Sequence, residues 1–207
     1  MIEAIIFDFG NVFINLNQSG LEKALRNLGI NEWNGELDKL NKSFEIGKIS
    51  EIEFIKGFQK YAPNTTVDDV RKAWNSILGE FPLYRLEFLQ KLKDSNLKLF
   101  LLSNTDAIHI NKFEHTVGMS FSRDFYQCFD KVYFSFEMGM RKPNPEIYAK
   151  VLSLNGLIPK KTLFVDDKKE NTDVAETLGI QVWNLQPEKE DVIDLFAKNF
   201  FRIIDSQ

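Results

Sequence analysis

Short apolar runs alternate with longer amphipathic segments along the chain. Five runs are apolar enough to form buried parallel strands; they span residues 4–9, 97–102, 131–134, 162–165 and 180–183. Helical patterns separate the later runs, and strands that alternate with helices are typical of an α/β protein with a doubly wound parallel sheet. We therefore predict this fold class.

Two helices are marked clearly between the later strands. Asn144 is a suitable N-cap, Pro145 suits the first turn and Gly156 suits the C-terminal stop, so a helix is predicted over residues 144–156. A second helix is predicted over residues 169–178, ahead of the last strand.

The segment between the first and second strands contains no strand-like run. Ser50 and Glu53 form a capping box that opens a helix reaching to about residue 61. Apolar residues recur at helical spacing on both sides of it; they are Leu21, Leu25, Leu28, Val67, Val70, Trp74 and Ile77. A crossover between parallel strands needs only one helix. We therefore predict an inserted α-helical cap over residues 16–82, with residues 1–15 and 83–207 forming the α/β core.

Composition excludes several classes of protein. The 207 residues are 43% hydrophobic, which is enough for a sizeable core. The net charge is −4, and the 26 basic residues are interspersed with 30 acidic ones rather than gathered in a basic stripe, so a nucleic-acid partner is not expected. No apolar run approaches the ~20 residues of a membrane span. These features predict a soluble, cytoplasmic protein without a membrane partner, and they leave the oligomeric state open.

The single cysteine and the two histidines do not form a recognisable site. Cys128 excludes a disulfide within the chain, and its Phe-rich surroundings predict a buried thiol. His109 and His115 lack partners at metal-ligand spacing, so we predict structural or surface roles for both.

Polar residues follow the predicted strands at the points where the strands end. In an open parallel sheet these ends meet at one edge, and ligands bind there beside the point where the strand order reverses. The residues delivered to this edge are Asp8, Ser103, Asn104, Lys142, Asp166 and Asp167. Each has an ordinary alternative as a cap, a turn former or a surface charge. Adjacent carboxylates such as Asp166 and Asp167, however, repel each other unless a cation lies near them.

This set of residues suits phosphoryl transfer to a carboxylate. Asp8 is a candidate nucleophile that would form an aspartyl-phosphate. Mg²⁺ prefers oxygen ligands, which Asp8, Asp167 and a backbone carbonyl near Gly10 would supply. Ser103 and Lys142 would bind the phosphate oxygens and offset charge in the transition state. The helical insertion would lie over the same edge as a lid that excludes water.

Four segments that contain these residues resemble, in order, the four motifs of the haloacid dehalogenase-like (HAD) superfamily of phosphohydrolases. The matching stretches are "DFGNV" from Asp8, "LLSN" with Ser103, "GMRKPNPEIY" with Lys142, and "VDD" with Asn171 following. The resemblance covers essentially the whole chain and implies a Rossmann-like core with the small helical cap of the subgroup that includes 2-haloacid dehalogenases. Within that subgroup the motifs are most similar to bacterial phosphatases that act on α-D-glucose 1-phosphate.

The resemblance also implies roles for individual residues. Asp8 would be the nucleophile and a Mg²⁺ ligand, Gly10 would offer its backbone carbonyl, and Asp167 would complete the protein ligands. Asp166 would contact the metal directly or through water. The implied catalytic residues are Asp8, Ser103 and Lys142, and the implied substrate-binding residues are Ser103, Asn104 and Lys142. The implied substrate is a small phosphorylated metabolite.

Gly10 departs from the family pattern. Most phosphatases of the superfamily carry a second aspartate at this position as general acid and base, a function typically worth ~10²–10⁴ in rate. Three hypotheses follow. The protein is a phosphatase that obtains its proton elsewhere, a catalytically impaired protein that binds a phosphorylated metabolite, or a 2-haloacid dehalogenase. Dehalogenation needs no metal. The adjacent carboxylates of Asp166 and Asp167 favour a site that holds a cation, so they argue against this third hypothesis.

Overall fold

In the computed structural model, which describes residues 1–198 and 200, a five-stranded parallel sheet lies between helical layers. Its strands are β1 (Ala4–Phe7), β2 (Lys98–Ser103), β3 (Lys131–Phe134), β4 (Thr162–Asp166) and β5 (Gln181–Asn184), in the order β3-β2-β1-β4-β5. The predicted α/β class with a doubly wound parallel sheet is confirmed. Where the predicted and the observed strand ends differ, they differ by one or two residues.

The described residues form helices around this sheet and in the insertion. Four lie between β1 and the helix that leads into β2; they are α1 (Gln18–Asn27), α2 (Gly35–Glu45), α3 (Glu51–Gln59) and α4 (Val67–Asn75). The others are α5 (Leu83–Lys93), α6 (Ala107–Val117), α7 (Met119–Tyr126), α8 (Ser135–Met138), α9 (Pro145–Asn155) and α10 (Lys169–Thr177). Short 3₁₀ segments occupy Pro159–Lys161 and Val192–Ala197.

The two faces of the sheet bury separate hydrophobic clusters. Ile5 and Phe7 pack into one cluster, whereas Ile6 packs with Phe100 and Phe164 into another on the opposite face. Successive side chains of a strand point to opposite faces, so a sheet covered on both sides requires nearly continuous apolar strands. Each fully buried side chain of this kind contributes roughly 1.5–3 kcal/mol of hydrophobic stabilisation.

The strand order places the site beside β1. The chain proceeds from β1 to β2 and β3 on one side, while β4 and β5 pair on the other side of β1. The direction of winding therefore reverses at β1, and the crevice at this point opens at the carboxyl ends of the strands. Asp8 directly follows β1, Ser103 ends β2 and Asp166 ends β4.

Helices α1–α4 enclose a hydrophobic cluster of their own. It includes Leu25 of α1, Phe44 of α2, Phe54 of α3 and Trp74 of α4. Ile108 of α6 joins this cluster, so α6 is the part of the core on which the helical insertion packs. We propose, on this separation of clusters, that residues 16–82 form a cap and that residues 1–15 and 83–198 belong to the core. Residues 199 and 201–207 of the predicted core lie outside the described residues.

Two chain segments that run side by side connect the insertion to the sheet. The Asn15 N–H donates to the Glu80 carbonyl (2.9 Å), and the Gly79 N–H donates to the Asn15 carbonyl (2.8 Å). A Cβ atom at Gly79 would lie 2.7 Å from the Asn15 oxygen, so this close approach requires glycine. Arg85 of α5 fixes the pair by donating to the Phe13 carbonyl and to Asn15 Oδ1.

The predictions for two helices and for Cys128 are confirmed. Helices α9 and α10 occupy the predicted segments 144–156 and 169–178, and α9 ends at Gly156 with a positive φ of 60°. Cys128 is buried, and its thiol donates to the Asp124 carbonyl. Among the described helices none combines the length and the apolar character needed to cross a membrane.

Candidate active site

Three carboxylates and one ammonium group meet at the carboxyl edge of the sheet. The Lys142 Nζ donates to Asp8 Oδ1 at 2.8 Å and to Asp166 Oδ2 at 2.6 Å. Carboxylate oxygens of Asp8, Asp166 and Asp167 all lie within 4.8 Å of one another. Lys142 is only 1% exposed, so its contacts with both carboxylates are made inside the protein.

Asn104 holds the backbone of Lys142 in place. The Asn104 side-chain amide donates to the Lys142 carbonyl (2.8 Å), and its oxygen accepts from the Lys142 N–H (2.9 Å). Lys142 lies in the loop between α8 and α9. The two hydrogen bonds therefore connect that loop to the end of β2. The side chain predicted to bind substrate therefore supports Lys142, although Asn104 also lines the adjoining cavity.

Asp166 is fully surrounded by donors. Its oxygens accept from the Lys168 N–H (2.8 Å) and from the Lys142 Nζ. The Asn171 Nδ2 lies 3.0 Å from each of the two oxygens. A carboxylate offers about four acceptor positions, and three donor nitrogens, one of them shared between the two oxygens, occupy most of them. The contact with Lys142 suits Asp166 to positioning that lysine, and the same carboxylate belongs with Asp8 and Asp167 to the group that could hold a metal ion.

Asp167 is held by a residue that the motif analysis did not assign a role. The Asn11 Nδ2 donates to Asp167 Oδ2 at 2.8 Å, and the Asn11 Oδ1 accepts from the Leu16 N–H at 3.0 Å. Asn11 has a φ of 55°, a left-handed conformation in which asparagine is enriched among residues other than glycine. Within the described residues, the hydrogen bond from Asn11 is made to Oδ2, and none is made to Asp167 Oδ1.

The carboxylates carry more negative charge than Lys142 offsets. Burial raises the pKa of Asp8 to about 7, Lys142 opposes this rise, and the neighbouring carboxylates add to it. Burial alone would lower the pKa of Lys142, but Asp166 and Asp8 outweigh it and raise that pKa. Burial and Asp166 likewise raise the pKa of Asp167, against the lowering effect of Asn11. An oxygen-only donor set with excess negative charge fits a hard divalent cation such as Mg²⁺.

A leucine occupies the space beside Gly10. A Cβ atom built on Gly10 would lie 2.8 Å from Leu16 Cδ1, so Leu16 fills the region into which a side chain at position 10 would project. Gly10 and Leu16 both line the cavity above the carboxylates, as does the buried Ser103. The space beside Gly10 is therefore filled by an apolar side chain.

A cavity of about 670 Å³ runs from the edge of the sheet into the helical insertion. Its lower end includes Gly10 and Ser103, and its upper walls combine apolar and polar side chains. The upper walls include Leu21, Leu25, Ile30, Trp33 and Trp74 as apolar members, and Glu22, Arg26, Asn41, Glu45 and His109 as polar members. The volume lies in the range of about 300–1,000 Å³ that is typical of small-molecule sites.

His109 joins the insertion to the core at the wall of this cavity. Its Nδ1 lies 3.1 Å from Asp106 Oδ2, its Nε2 lies 3.1 Å from the Trp74 carbonyl, and its ring stacks on Trp74. Both partners are acceptors, so this geometry favours an imidazole that is protonated at both ring nitrogens. Burial opposes that charge, but Asp106 outweighs it and raises the pKa of His109. The structural role predicted for His109 thus lies at the cavity wall, whereas His115 is exposed.

We expect Asn11→Gly to weaken metal binding without disturbing the backbone. Glycine adopts the positive φ at this position freely, so the substitution keeps the backbone conformation and removes two side-chain hydrogen bonds, the one to Asp167 Oδ2 and the one from the Leu16 N–H. Loss of such a supporting contact typically costs 10–100-fold in metal affinity, so the Mg²⁺ concentration for half-maximal activity should rise about 10-fold. A Mg²⁺ titration of activity measures this change, and an unchanged midpoint would show that Asn11 does not position Asp167.

Comparison with known proteins agrees with these observations. The family model described as haloacid dehalogenase-like hydrolase matches residues 2–179. D-ribitol-5-phosphate phosphatase of Bacteroides thetaiotaomicron is 30% identical, over 91% of this chain and 93% of the relative. Glyceraldehyde 3-phosphate phosphatase of Methanocaldococcus jannaschii is 26% identical, over 87% of this chain and 83% of the relative.

Solved structures match over nearly the whole chain. A HAD family enzyme of B. thetaiotaomicron, in complex with magnesium and inorganic phosphate, has a TM-score of 0.83 and 32% identity, covering 95% of this chain and 100% of that one. The L-2-haloacid dehalogenase of Xanthobacter autotrophicus has a TM-score of 0.58 at 20% identity, covering 88% of this chain and 76% of that one. This second likeness concerns the fold alone.

Proposed function

The chain belongs to the haloacid dehalogenase-like hydrolase family, and from that premise we propose that it is a magnesium-dependent phosphatase of a small phosphorylated metabolite. One observation carries the proposal: the Asp8 carboxylate is held by Lys142 at the edge of the sheet, with the Asp167 carboxylate close enough to share a cation. The two phosphatases named above, which act on D-ribitol 5-phosphate and on glyceraldehyde 3-phosphate, support it.

The geometry supports a two-step mechanism. An Asp8 oxygen attacks phosphorus, the bond between phosphorus and the ester oxygen breaks, and an aspartyl-phosphate forms; the departing oxygen keeps the bonding electrons and takes a proton from water. Water then attacks this phosphorus, which releases inorganic phosphate and restores the Asp8 carboxylate. Magnesium, held by Asp8, Asp167 and the Gly10 carbonyl, would shield the nucleophile from the negative charge of the phosphate.

The other residues act on the phosphate and on the nucleophile. Ser103 lies buried at the base of the cavity, where its hydroxyl would donate to a phosphate oxygen. Lys142 orients Asp8 through the 2.8 Å contact and offsets charge as the equatorial oxygens become more negative. Asp166 and Asn104 hold Lys142 at its ammonium group and its backbone, respectively.

Position 10 affects the choice of substrate. Gly10 offers no acid for the departing oxygen, and Leu16 fills the adjoining space. A leaving group that stabilises its own negative charge, such as the anomeric oxygen of a sugar 1-phosphate, needs less help from a proton. α-D-Glucose 1-phosphate is therefore one substrate to test, beside polyol and triose phosphates.

Phosphate release from a panel of phosphomonoesters tests the proposal. We expect release with Mg²⁺, loss of release in excess EDTA, and recovery when Mg²⁺ is restored. Magnesium-dependent binding of phosphate without turnover of any panel member would support a binding protein instead, a function favoured only by the apolar filling beside Gly10. Full activity on 2-haloacids in EDTA would contradict the phosphatase.

A further inference from the structure

Three ring side chains line the cavity with their planes nearly parallel. The ring centroids of Trp33 and Trp74 lie 6.2 Å apart, and the angle between the two planes is 12°. The ring of His109 lies 5.2 Å from that of Trp74 at an angle of 11°. All three side chains line the cavity, so its wall carries flat groups that share one orientation.

Trp33 is the exposed member of this set. Its exposed fraction is 41%, against 5% for Trp74. Its ring contacts among the described residues are with Trp74 and with Phe58, at 6.2 and 6.1 Å between centroids. The next residue, Asn34, caps the first turn of α2 through its side chain and so fixes the backbone beside Trp33. Part of the Trp33 ring is therefore open to a ligand in the cavity.

Buried aliphatic side chains form the wall around these rings. Leu21, Leu25 and Ile30 line the cavity, have exposed fractions of 5–7% and belong to the hydrophobic cluster of the insertion. Glu22 and Arg26 also line the cavity, but their side chains are about half exposed and lie 4.0 Å from each other. These two charges therefore belong to the mouth of the cavity, and the interior beside the rings is apolar.

The polar side chains beside the rings already have partners within the protein. The His109 Nδ1 faces Asp106 Oδ2 at 3.1 Å. Glu45 Oε2 accepts from the Arg141 Nε at 2.9 Å, and Glu45 Oε1 accepts from the Asn41 Nδ2 at 3.5 Å. The Asn41 Oδ1 is buried and does not open into the cavity. Because a hydrogen bond to a group that is already paired adds little, hydroxyl groups placed here would gain little affinity.

We infer that the leaving group of the substrate carries an aromatic ring, which packs against Trp33 inside the helical insertion. The inference rests on the proposed function and deepens it by naming a substrate class, a phosphate monoester whose alcohol bears an aryl group. The cavity of about 670 Å³ has room for such a ring beyond the ester oxygen. Pairs of aromatic rings bind more tightly than their buried apolar area alone accounts for, so a flat ring is favoured over a puckered one of similar size.

Matched substrates and matched variants test the inference. Phenylpropyl phosphate and cyclohexylpropyl phosphate share the leaving oxygen and the chain length, and they differ in whether the ring is flat. Trp33→Leu removes the aromatic surface and keeps an apolar side chain. Tyr61→Leu is the control, because Tyr61 is 39% exposed on the same insertion but does not line the cavity. Thermal unfolding of both variants verifies that they are folded.

We expect the unmodified protein to prefer phenylpropyl phosphate in kcat/KM by about 3–10-fold. The preference should lie in KM rather than in kcat, because the ring contact is the same in the bound substrate and in the transition state. Trp33→Leu should remove the preference, and Tyr61→Leu should keep it.

A preference that survives Trp33→Leu would overturn the inference alone. So would equal turnover, or no turnover, of the two substrates by an unmodified protein that hydrolyses other phosphomonoesters. Absence of magnesium-dependent turnover of every phosphomonoester would overturn the proposed function, and the inference that rests on it would fall with it.

Discussion

Asp8→Asn should abolish magnesium-dependent phosphate release while leaving the protein folded. An amide is not a nucleophile toward phosphorus, and it also replaces a charged metal ligand with a neutral one, so kcat should fall by at least about 10⁴-fold. The fold should survive because Lys142 retains its 2.6 Å contact with Asp166. Phosphate release and thermal unfolding, measured on the same preparation, check both parts.

Asp173→Asn provides the matched control for this substitution. Asp173 lies on α10 in an exposed ion pair with Lys169, and exposed pairs contribute little to stability. Its variant should keep full activity. Turnover by Asp8→Asn at the rate of the unmodified protein would remove Asp8 from the role of nucleophile.

Lys142→Met should impair both catalysis and stability. The substitution leaves Asp8 and Asp166 buried without their shared cation, and removing one partner of a buried ion pair costs roughly 3–5 kcal/mol. The free energy of unfolding, measured with urea, should fall by roughly that amount, and kcat should fall by at least about 10³-fold. Lys169→Met, at an exposed position, should change neither quantity.

The double variant Lys142→Met with Asp166→Asn measures how strongly Lys142 and Asp166 stabilise each other. Asp166→Asn removes one of the charges left unpaired by Lys142→Met, so the combined loss of stability should be smaller than the sum of the two single losses. Additive losses would mean that Lys142 and Asp166 do not stabilise each other, and would contradict the positioning role assigned to Asp166.

Most site residues at the carboxyl edge of the sheet could be predicted from the sequence, because each one lies at the end of a strand that is recognisable by itself. Short apolar runs mark the buried strands, and the residue that follows each run is carried to the same edge by the parallel arrangement. Asp8, Ser103, Asp166 and Asp167 are all placed in this way. Lys142 follows no strand directly, and its place was predicted from the segment after the third strand, just ahead of a helix.

Contacts between distant segments left no comparable signal. Asn104 holds the Lys142 backbone across 38 positions, and the Trp74 indole donates to Asp106 across 32 positions. Neither spacing has a periodicity that a strand or a helix would impose. The left-handed Asn11 is a partial exception, since asparagine is enriched at positive φ, but its bond to Asp167 depends on the fold.

The upper wall of the cavity was the hardest part to predict. Helix α2, which carries Asn41 and Glu45, has only Leu37 and Phe44 buried, so its apolar stripe is too sparse to stand out in the sequence. The role of Gly10 was similarly hidden, because its sequence neighbours do not reveal that Leu16 folds back into the adjoining space.

The most direct test of the account is to identify the covalent intermediate. The protein is mixed with a labelled phosphomonoester substrate and Mg²⁺, quenched in acid within a single turnover, and the phosphorylated peptide is identified by mass spectrometry. The account predicts a phosphoryl group on Asp8 that forms and decays at rates consistent with kcat and is absent from Asp8→Asn. Turnover with the phosphoryl group on another residue, or on none throughout the reaction, would contradict it.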